Sequence, residues 1–209
     1  MRYTPAMLHT IIGLFGGTFD PPHIGHTSLA NKAFDQFNLS RLLWMLTPNP
    51  PHKQENIITP VEYRIEMVNR AIADNPTFEI SLIEAHRPGP HYTIDTLNLL
   101  KQQEPDSDII LLIGGDSLRD LPTWRHNIDL VAAVKKLGVM RRPGDSFDMR
   151  TLEKKIPGIT EKVNFIDAQQ YNISSRNIRH LIAEGQPYQQ YLIPDVYEYI
   201  EVNHLYRRK

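Results

Sequence analysis

Apolar residues follow two alternating patterns along this chain, one typical of buried strands and the other typical of amphipathic helices. Short continuous apolar runs predict strands, whereas apolar residues that recur every three or four positions predict helices. Because the two patterns alternate, the sequence favours a parallel sheet covered by helices on both faces. Strands are expected near residues 10–15, 42–46, 78–80, 109–113, 137–140 and 163–166.

Capping residues mark the expected starts of two helices. Thr59 is predicted to cap one helix, with Pro60 at its first position and Glu62 completing a capping box. Thr93 is predicted to cap another helix over residues 94–102. These two helices would follow the second and third strands of the sheet.

The last part of the chain has a helical pattern over 177–183 and 194–202, and Gly185 is expected to end the first of these helices. The sequence shows no linker that separates this part from the sheet. We therefore expect a single domain, residues 1–209, with a small C-terminal helical part from about 170 to 209. The predicted fold class is α/β, with a Rossmann-like, doubly wound and mainly parallel sheet.

Composition narrows the classes of function. The 209 residues are 41% apolar, carry a net charge of −1 and include no cysteine. This composition is enough for a folded core, excludes disulfides and thiolate metal sites, and gives no overall attraction to nucleic acid or membranes. No apolar run reaches the roughly 20 residues that span a bilayer, and residues 1–6 lack a signal peptide's apolar stretch. The predicted location is cytoplasmic, and the oligomeric state stays open, a homo-oligomer included.

The most informative segment is residues 15–26, FGGTFDPPHIGH, which joins the first strand to a helix. His23, Gly25 and His26 are expected in the first turn of this helix. Its unpaired backbone N–H groups and its dipole favour an anion, and the glycines let a phosphate approach the backbone. The two imidazoles add side-chain donors.

The string GGTFDPPHIGH resembles the signature of the bacterial nicotinate-nucleotide adenylyltransferases, within the HxGH nucleotidyltransferase superfamily. The resemblance implies transfer of the adenylyl group of ATP to nicotinate mononucleotide in NAD biosynthesis, giving nicotinate adenine dinucleotide and pyrophosphate. Magnesium would accompany ATP, and no metal ligands are expected among the protein side chains. The catalytic residues implied are His26 at the α-phosphate, His23 beside the triphosphate, and Arg179.

Arg179 belongs to a second motif, ISSRNIR at residues 173–179, which resembles the ISSTxIR of the family. Arg176 replaces the family's threonine, so a hydroxyl contact is lost and a second guanidinium is gained, or the side chain points into solvent. Lys53 belongs to a PPHK loop that resembles the family's, although the stretch before it is shorter. The ATP site implied by the resemblance comprises Gly16, Gly17, Thr18, Phe19, His23, Gly25, His26, Lys53, Gly114, Asp116, Ile173, Ser174, Ser175 and Arg179.

Two further motifs resemble the family's. In the G-x-D-S segment, Asp116 is expected to accept hydrogen bonds from ribose hydroxyls, to cap a helix, or both. Trp124 is expected to stack on the pyridine ring, with core packing as the alternative, while backbone amides near Thr93 and Arg125 hold the ring's carboxylate. The implied nicotinate mononucleotide site comprises Gly17, Thr18, Lys53, Tyr92, Thr93, Trp124 and Arg125.

Three other functions share part of this pattern. An adenylyltransferase for nicotinamide mononucleotide or another small phosphate would keep the phosphate motifs and differ at the pyridine site. A class I aminoacyl-tRNA synthetase shares the tetrapeptide His23–His26, but this chain has no KMSKS segment and no basic excess. A non-catalytic sensor on the same fold would bind ATP without releasing pyrophosphate.

Overall fold

A computed structural model describes residues 10–48, 58–141, 145–169 and 171–208. No helix within these ranges combines the length and the apolar character that crossing a bilayer requires. Two short 3₁₀ turns lie at Leu121–Thr123 and Gln189–Tyr191. In chain order the elements are β1 (Ile11–Gly17), α1 (Ile24–Gln36), β2 (Arg41–Leu46), α2 (Val61–Ile72), β3 (Phe78–Ser81), α3 (Thr93–Gln103), β4 (Asp108–Gly114), α4 (Gly115–Asp120), α5 (Asn127–Ala133), β5 (Lys136–Met140), α6 (Met149–Lys155), α7 (Ile159–Lys162), β6 (Val163–Ile166), α8 (Ser175–Ala183) and α9 (Pro194–Val202).

The six strands form one parallel sheet in the order β3-β2-β1-β4-β5-β6. β1 pairs with β2 on one side, where Leu14 lies opposite Leu43, and with β4 on the other, where Leu14 lies opposite Leu111. The strand order reverses between β1 and β4, and open α/β sheets bind ligands outside the carboxyl ends of their strands at such a point. The doubly wound parallel sheet predicted from the sequence is confirmed.

The core lies on both faces of the sheet, because successive side chains of a strand point to opposite faces. On β2, Leu42, Trp44 and Leu46 pack toward α1 and α2, whereas Leu43 and Met45 pack toward α3, α4 and α5. Trp44 is fully buried, as the sequence predicts. The absence of polar alternation in β1, β2 and β4 therefore follows from burial on both faces.

The C-terminal helices form a third apolar cluster that reaches back to α2. Ile178 and Ile182 of α8 and Val196 and Ile200 of α9 pack with Met67 of α2. α8 ends as predicted, with Gly185 at a φ of +65° just after the helix. These contacts attach the C-terminal helices to α2.

The prediction that Thr59 caps α2 is wrong. The helix begins at Val61, Pro60 takes the N-cap position, and no side chain caps it. The backbone of Thr59 is held by tertiary contacts instead: its N–H donates to Asp20 Oδ2 at 3.4 Å, and its carbonyl accepts from Arg64 Nε at 2.8 Å. These two tertiary hydrogen bonds hold Thr59 outside the helix, although its residue type favours the capping position.

The start of α3 also differs from its prediction by one residue. The helix begins at Thr93, and Tyr92 occupies the N-cap position without a side-chain hydrogen bond. The hydrophobic pattern does not reveal α5, α6 or α7, which have seven, seven and four residues. Helices this short depend on packing against the sheet, so a periodic pattern of their own is too brief to detect.

Arg64 is a buried cation that ties together the loops after β1 and β2. Its side chain is 2% exposed. Beside the bond to Thr59, Nη1 donates to the carbonyls of Thr18 at 3.0 Å and Thr47 at 2.9 Å, and Nη2 donates to the carbonyl of Pro48 at 2.8 Å. Burial lowers the pKa of Arg64, and the Asp20 carboxylate opposes that effect.

Replacing Arg64 with methionine should destabilise the fold by about 3 kcal/mol or more, because four partly buried carbonyls lose their donor at once. Urea denaturation measures the change. Arg70→Met on the same helix is the matched control: Arg70 is partly exposed, pairs with Glu66 and stacks on Tyr199. Its loss should cost less than about 1 kcal/mol. Equal destabilisation by the two variants would contradict the structural role of Arg64.

Candidate active site

The loop after β1 begins with two glycines and a strained turn. Gly16 and Gly17 end the strand, and a Cβ at position 17 would lie 2.7 Å from the Phe19 ring. Phe19 has a φ of +49°, which is unusual for a bulky residue. Its buried ring packs edge-on against His26 at a centroid distance of 5.3 Å. Strain of this kind gathers at functional sites, and here the turn places an aromatic wall behind an imidazole.

His23 and His26 cap the start of α1 reciprocally. His23 is the N-cap, one position before the first turn predicted for it, and its Nδ1 accepts the Gly25 N–H at 3.1 Å. His26 Nδ1 accepts the His23 N–H at 3.1 Å, and the ring centroids lie 3.8 Å apart. Since each Nδ1 accepts a backbone N–H, each neutral ring carries its proton on Nε2. Both imidazoles therefore have their donor on the side away from the helix cap.

Gly25 makes this arrangement possible. A Cβ at position 25 would lie 3.0 Å from the His23 ring and would push the imidazole off the helix start. The same Cβ position lies 4.0 Å from Ile173 Cγ2, just ahead of α8. The starts of α1 and α8 are therefore close neighbours.

Arg179 and Ser175 bring α8 against the loop that precedes the histidines. Arg179 Nη1 donates to the Asp20 carbonyl at 2.7 Å, and Ser175 Oγ donates to the Pro21 carbonyl at 2.8 Å. Ser174 caps α8, because its Oγ accepts the Asn177 N–H at 3.2 Å. Two capped helix starts and a guanidinium thus meet at one loop.

The Asp20 carboxylate is the centre of this meeting point. Its side chain is 4% exposed and lies 3.7 Å from Arg179 Nη1. Oδ1 accepts the hydroxyl of Tyr206 at 2.8 Å, and Oδ2 accepts the Thr59 N–H. Burial, reinforced by the Asp20 carboxylate, raises the pKa of Tyr206, so its hydroxyl stays protonated as a donor. The C-terminal segment is thereby joined to the loop that carries the histidines.

Asp116 lies at the carboxyl end of β4, which neighbours β1. Gly114 is the N-cap of α4, so Asp116 is in the first turn and not the cap. Its carboxylate pairs with Arg119, and Arg119 Nη1 donates to Asp145 Oδ1 at 2.8 Å. The two aspartate hydrogen bonds raise the pKa of Arg119, which keeps its charge. The predicted ribose contact would be made by a carboxylate that this arginine orients.

Tyr92, Thr93, Trp124 and Arg125 form a second group at the start of α3. The Arg125 guanidinium lies 4.8 Å from the centroid of the Tyr92 ring, which joins the segment after the 3₁₀ turn to the N-cap of α3. Trp124 is partly buried and packs on the apolar core, so both of its expected roles remain compatible with its position. Thr93 is the first residue of the helix, where its N–H group has no intrahelical partner.

Some predicted positions fall elsewhere. Lys53 and the PPHK loop lie outside the described residues. The Arg141 guanidinium stacks on Phe165 at 3.5 Å from the ring centroid. Arg176 is exposed on the first turn of α8.

Sequence reasoning overlooked several residues that organise this region. Asp20 is the one acid in the first motif, so its presence in a buried loop is a usable signal. Arg64 occupies the apolar face of α2, three residues after Val61 and three before Met67, which is also a signal. Tyr206, Arg119 and Asp145 act through long-range contacts that no local pattern reveals.

Among the described residues, no group of three or more histidine, aspartate or glutamate side chains is arranged to hold a metal ion. The region instead offers Nε2 donors, helix N–H groups and guanidinium groups. These are the groups that bind phosphate oxygens. Chemically, the arrangement can hold a polyphosphate across the carboxyl ends of β1 and β4.

Comparison with known proteins identifies relatives of this chain. Residues 14–181 match the Cytidylyltransferase-like family model. The nicotinate-nucleotide adenylyltransferase of Bacillus subtilis is 40% identical over 196 residues, which cover 93% of this chain and 97% of that protein. A probable nicotinate-nucleotide adenylyltransferase of Thermomicrobium roseum is 39% identical, covering 94% of this chain and 91% of that protein.

Solved structures share the fold. The nicotinic acid mononucleotide adenylyltransferase of Plasmodium falciparum complexed with NaAD superposes with a TM-score of 0.77 and 21% identity, covering 95% of this chain and 98% of that one. At that identity the likeness supports the fold, and the closer sequence relatives establish the kinship. The chain belongs to the nicotinate-nucleotide adenylyltransferase family.

Proposed function

We propose that this protein transfers the adenylyl group of ATP to nicotinate mononucleotide, giving nicotinate adenine dinucleotide and pyrophosphate in NAD biosynthesis. The observation that carries the proposal is the meeting of the two helix starts and Arg179 at the loop that holds Asp20. The names of the relatives support the same reaction. We further propose a cytoplasmic location and small-molecule partners, without nucleic acid or membrane.

The reaction asks the protein for positioning and charge stabilisation. The acceptor phosphate is already an anionic nucleophile at neutral pH, so the in-line displacement at the α-phosphate needs no general base. We assign the His26 Nε2–H to the α-phosphate, where charge develops, and His23 to the triphosphate. Arg179 and the N–H groups of α8, from Ser175 onward, would hold the leaving pyrophosphate.

The remaining ATP contacts follow the edge of the sheet. We propose that the backbone of residues 16–19 and Gly25 lies against the phosphates. Gly114 and Asp116 would hold the adenosine half at the end of β4. Ile173, Ser174 and Ser175 would contact it from the α8 side, and Lys53 would add a cation.

Nicotinate mononucleotide would bind between β1 and the start of α3. Gly17, Thr18 and Lys53 would contact its phosphate end. Tyr92, Thr93, Trp124 and Arg125 would surround the pyridine ring, with helix N–H groups facing its carboxylate. A carboxamide in place of that carboxylate would gain less from the helix dipole.

We propose that magnesium binds together with ATP. The described side chains that we assign to the phosphates, those of His23, His26 and Arg179, are donors or cations, which suits an ion held mainly by ATP phosphates and water. When bound, it would neutralise charge on the pyrophosphate leaving group.

Pyrophosphate release from MgATP tests the proposal directly. Release should require a mononucleotide, and nicotinate mononucleotide should be preferred over nicotinamide mononucleotide. Release with the amide alone would identify the amide-specific alternative. ATP binding without any release would identify a sensor instead.

Replacing Trp124 with alanine should raise the KM for nicotinate mononucleotide at least about fivefold, because a base-sized ring loses its stacking surface. The KM for ATP should change less than about twofold. Trp124→Phe retains a flat ring and should recover most of the loss. Steady-state kinetics with each substrate varied gives both constants, and an equal rise in both would contradict the stacking role.

A further inference from the structure

Several buried polar atoms in residues 84–91, the segment before α3, have no hydrogen-bond partner. Within the part of the chain that the structure describes, these include Glu84 Oε2, Arg87 Nε and His91 Nδ1. Glu84 is 2% exposed and His91 is 7% exposed. Burial lowers the pKa of His91, so its ring is neutral near pH 7. Folded proteins satisfy nearly all such atoms, and exceptions call for an explanation in function or strain.

Arg87 connects this segment to the first turn of α3 at three positions. Nη2 donates to the Tyr92 carbonyl at 3.3 Å and to Thr96 Oγ1 at 3.2 Å. Nη1 lies 3.8 Å from Asp95 Oδ2. The Thr96 hydroxyl in turn donates to Glu84 Oε1 at 2.8 Å. The guanidinium therefore lies behind the helix start, and its bonds fix the carbonyl of the N-cap residue.

Two carboxylates, those of Asp95 and Glu84, lie near Arg87 at the first turn of α3. Asp95 is 49% exposed in the first turn, and the Glu84 carboxylate accepts the hydroxyl of Thr96 in the same turn. Together they oppose the positive end of the helix dipole, which acts only over the first turn. The Arg87 side chain is 19% exposed, so its charge is less screened by water than the charge of Asp95. Arg87 thus offsets part of the negative charge of these two carboxylates at the first turn of α3.

We propose that Arg87 is a specificity-determining residue, which sets the preference for a pyridine carboxylate over a carboxamide through the charge that it places behind the first turn of α3. The inference rests on the proposed function, in which that turn faces the pyridine ring. A carboxylate carries a full negative charge and gains from this offset, whereas a neutral carboxamide gains little. Arg87 acts by position and charge, because its contacts are made to the protein.

Two substitutions with opposite expected effects test this inference. R87M should lower the ratio of kcat/KM for nicotinate mononucleotide to kcat/KM for nicotinamide mononucleotide by about fivefold, mainly through the KM of the acid. D95N removes the opposing charge and should raise the same ratio about twofold. Neither variant should change the KM for ATP more than about twofold. R87K retains the charge and should keep a ratio near that of the unaltered protein.

Arg70→Met supplies the control, since it removes a cation from α2 and should leave the ratio unchanged. A merely structural role for Arg87 would affect both mononucleotides equally, and D95N would then leave the ratio unaltered. Either result would overturn the inference. If R87M does not fold, the exposed D95N decides alone. If the unaltered protein adenylylates neither mononucleotide, the proposed function itself fails, which is a separate outcome.

Discussion

Replacing His26 with alanine should lower kcat at least about a hundredfold, which is the scale of losing one preorganised transition-state donor. His26 Nδ1 accepts the His23 N–H at 3.1 Å, so the donor that we propose for catalysis is the Nε2–H. The ring also packs against Phe19, which restricts its orientation. A donor held in this way needs no reorganisation when charge develops on the α-phosphate.

The two nitrogens of His26 can be tested separately. An asparagine at this position keeps an acceptor near the place of Nδ1 and loses the Nε2 donor, so His26→Asn should fold normally and still lose activity. His26→Gln sets an amide near the place of Nε2 and should recover part of the rate. His126→Ala changes an exposed histidine at the start of α5 and serves as the control. Single-turnover rates and thermal unfolding give the answer, and near-normal turnover by His26→Asn would remove His26 from the chemistry.

The fold was predictable because its central strands are buried on both faces and lack polar alternation. Residues 109–113 illustrate this, since five successive aliphatic residues fit a central parallel strand and little else. Capping was less predictable. Ser174 caps α8 with its own side chain, whereas the backbone of Thr59 bonds to Asp20 and Arg64. A local signal decides a helix start only when no stronger tertiary partner competes for the same groups.

The residues of the candidate site likewise differ in how well the sequence predicts them. The glycines and histidines of residues 15–26 lie close together in the chain, so their spacing in the sequence is enough to predict that they form one site. Tyr206 reaches Asp20 across 186 positions, and Arg64 reaches Thr18 across 46. Contacts over such separations are fixed by topology and not by spacing. The groups that we propose to contact phosphate were therefore nameable from the sequence, whereas the groups that position them were not.

The second large effect is expected at Arg179. Its Nη1 is committed to the Asp20 carbonyl at 2.7 Å and faces Asp20 Oδ2 at 3.7 Å, while 28% of the side chain remains exposed. The guanidinium is thus anchored at one end, and its planar fork has further N–H groups for a phosphate. Lysine offers a single charge on a flexible stem, which cannot serve the anchor and the ligand together.

Arg179→Lys should therefore lower kcat/KM for ATP by about 10- to 100-fold, because charge-assisted hydrogen bonds to the phosphates are lost. Arg179→Met should lose more, and neither change should alter the KM for nicotinate mononucleotide more than about threefold. Arg150→Met, on the exposed face of α6, is the matched control for removing one guanidinium.

Tyr206→Phe offers an independent check, since it leaves Arg179 in place and removes the hydroxyl that donates to Asp20 Oδ1. If Arg179 acts through the anchor described above, Tyr206→Phe should produce a smaller loss in the same constant, for ATP and not for the mononucleotide. A loss confined to the mononucleotide would mean that this guanidinium serves the other substrate.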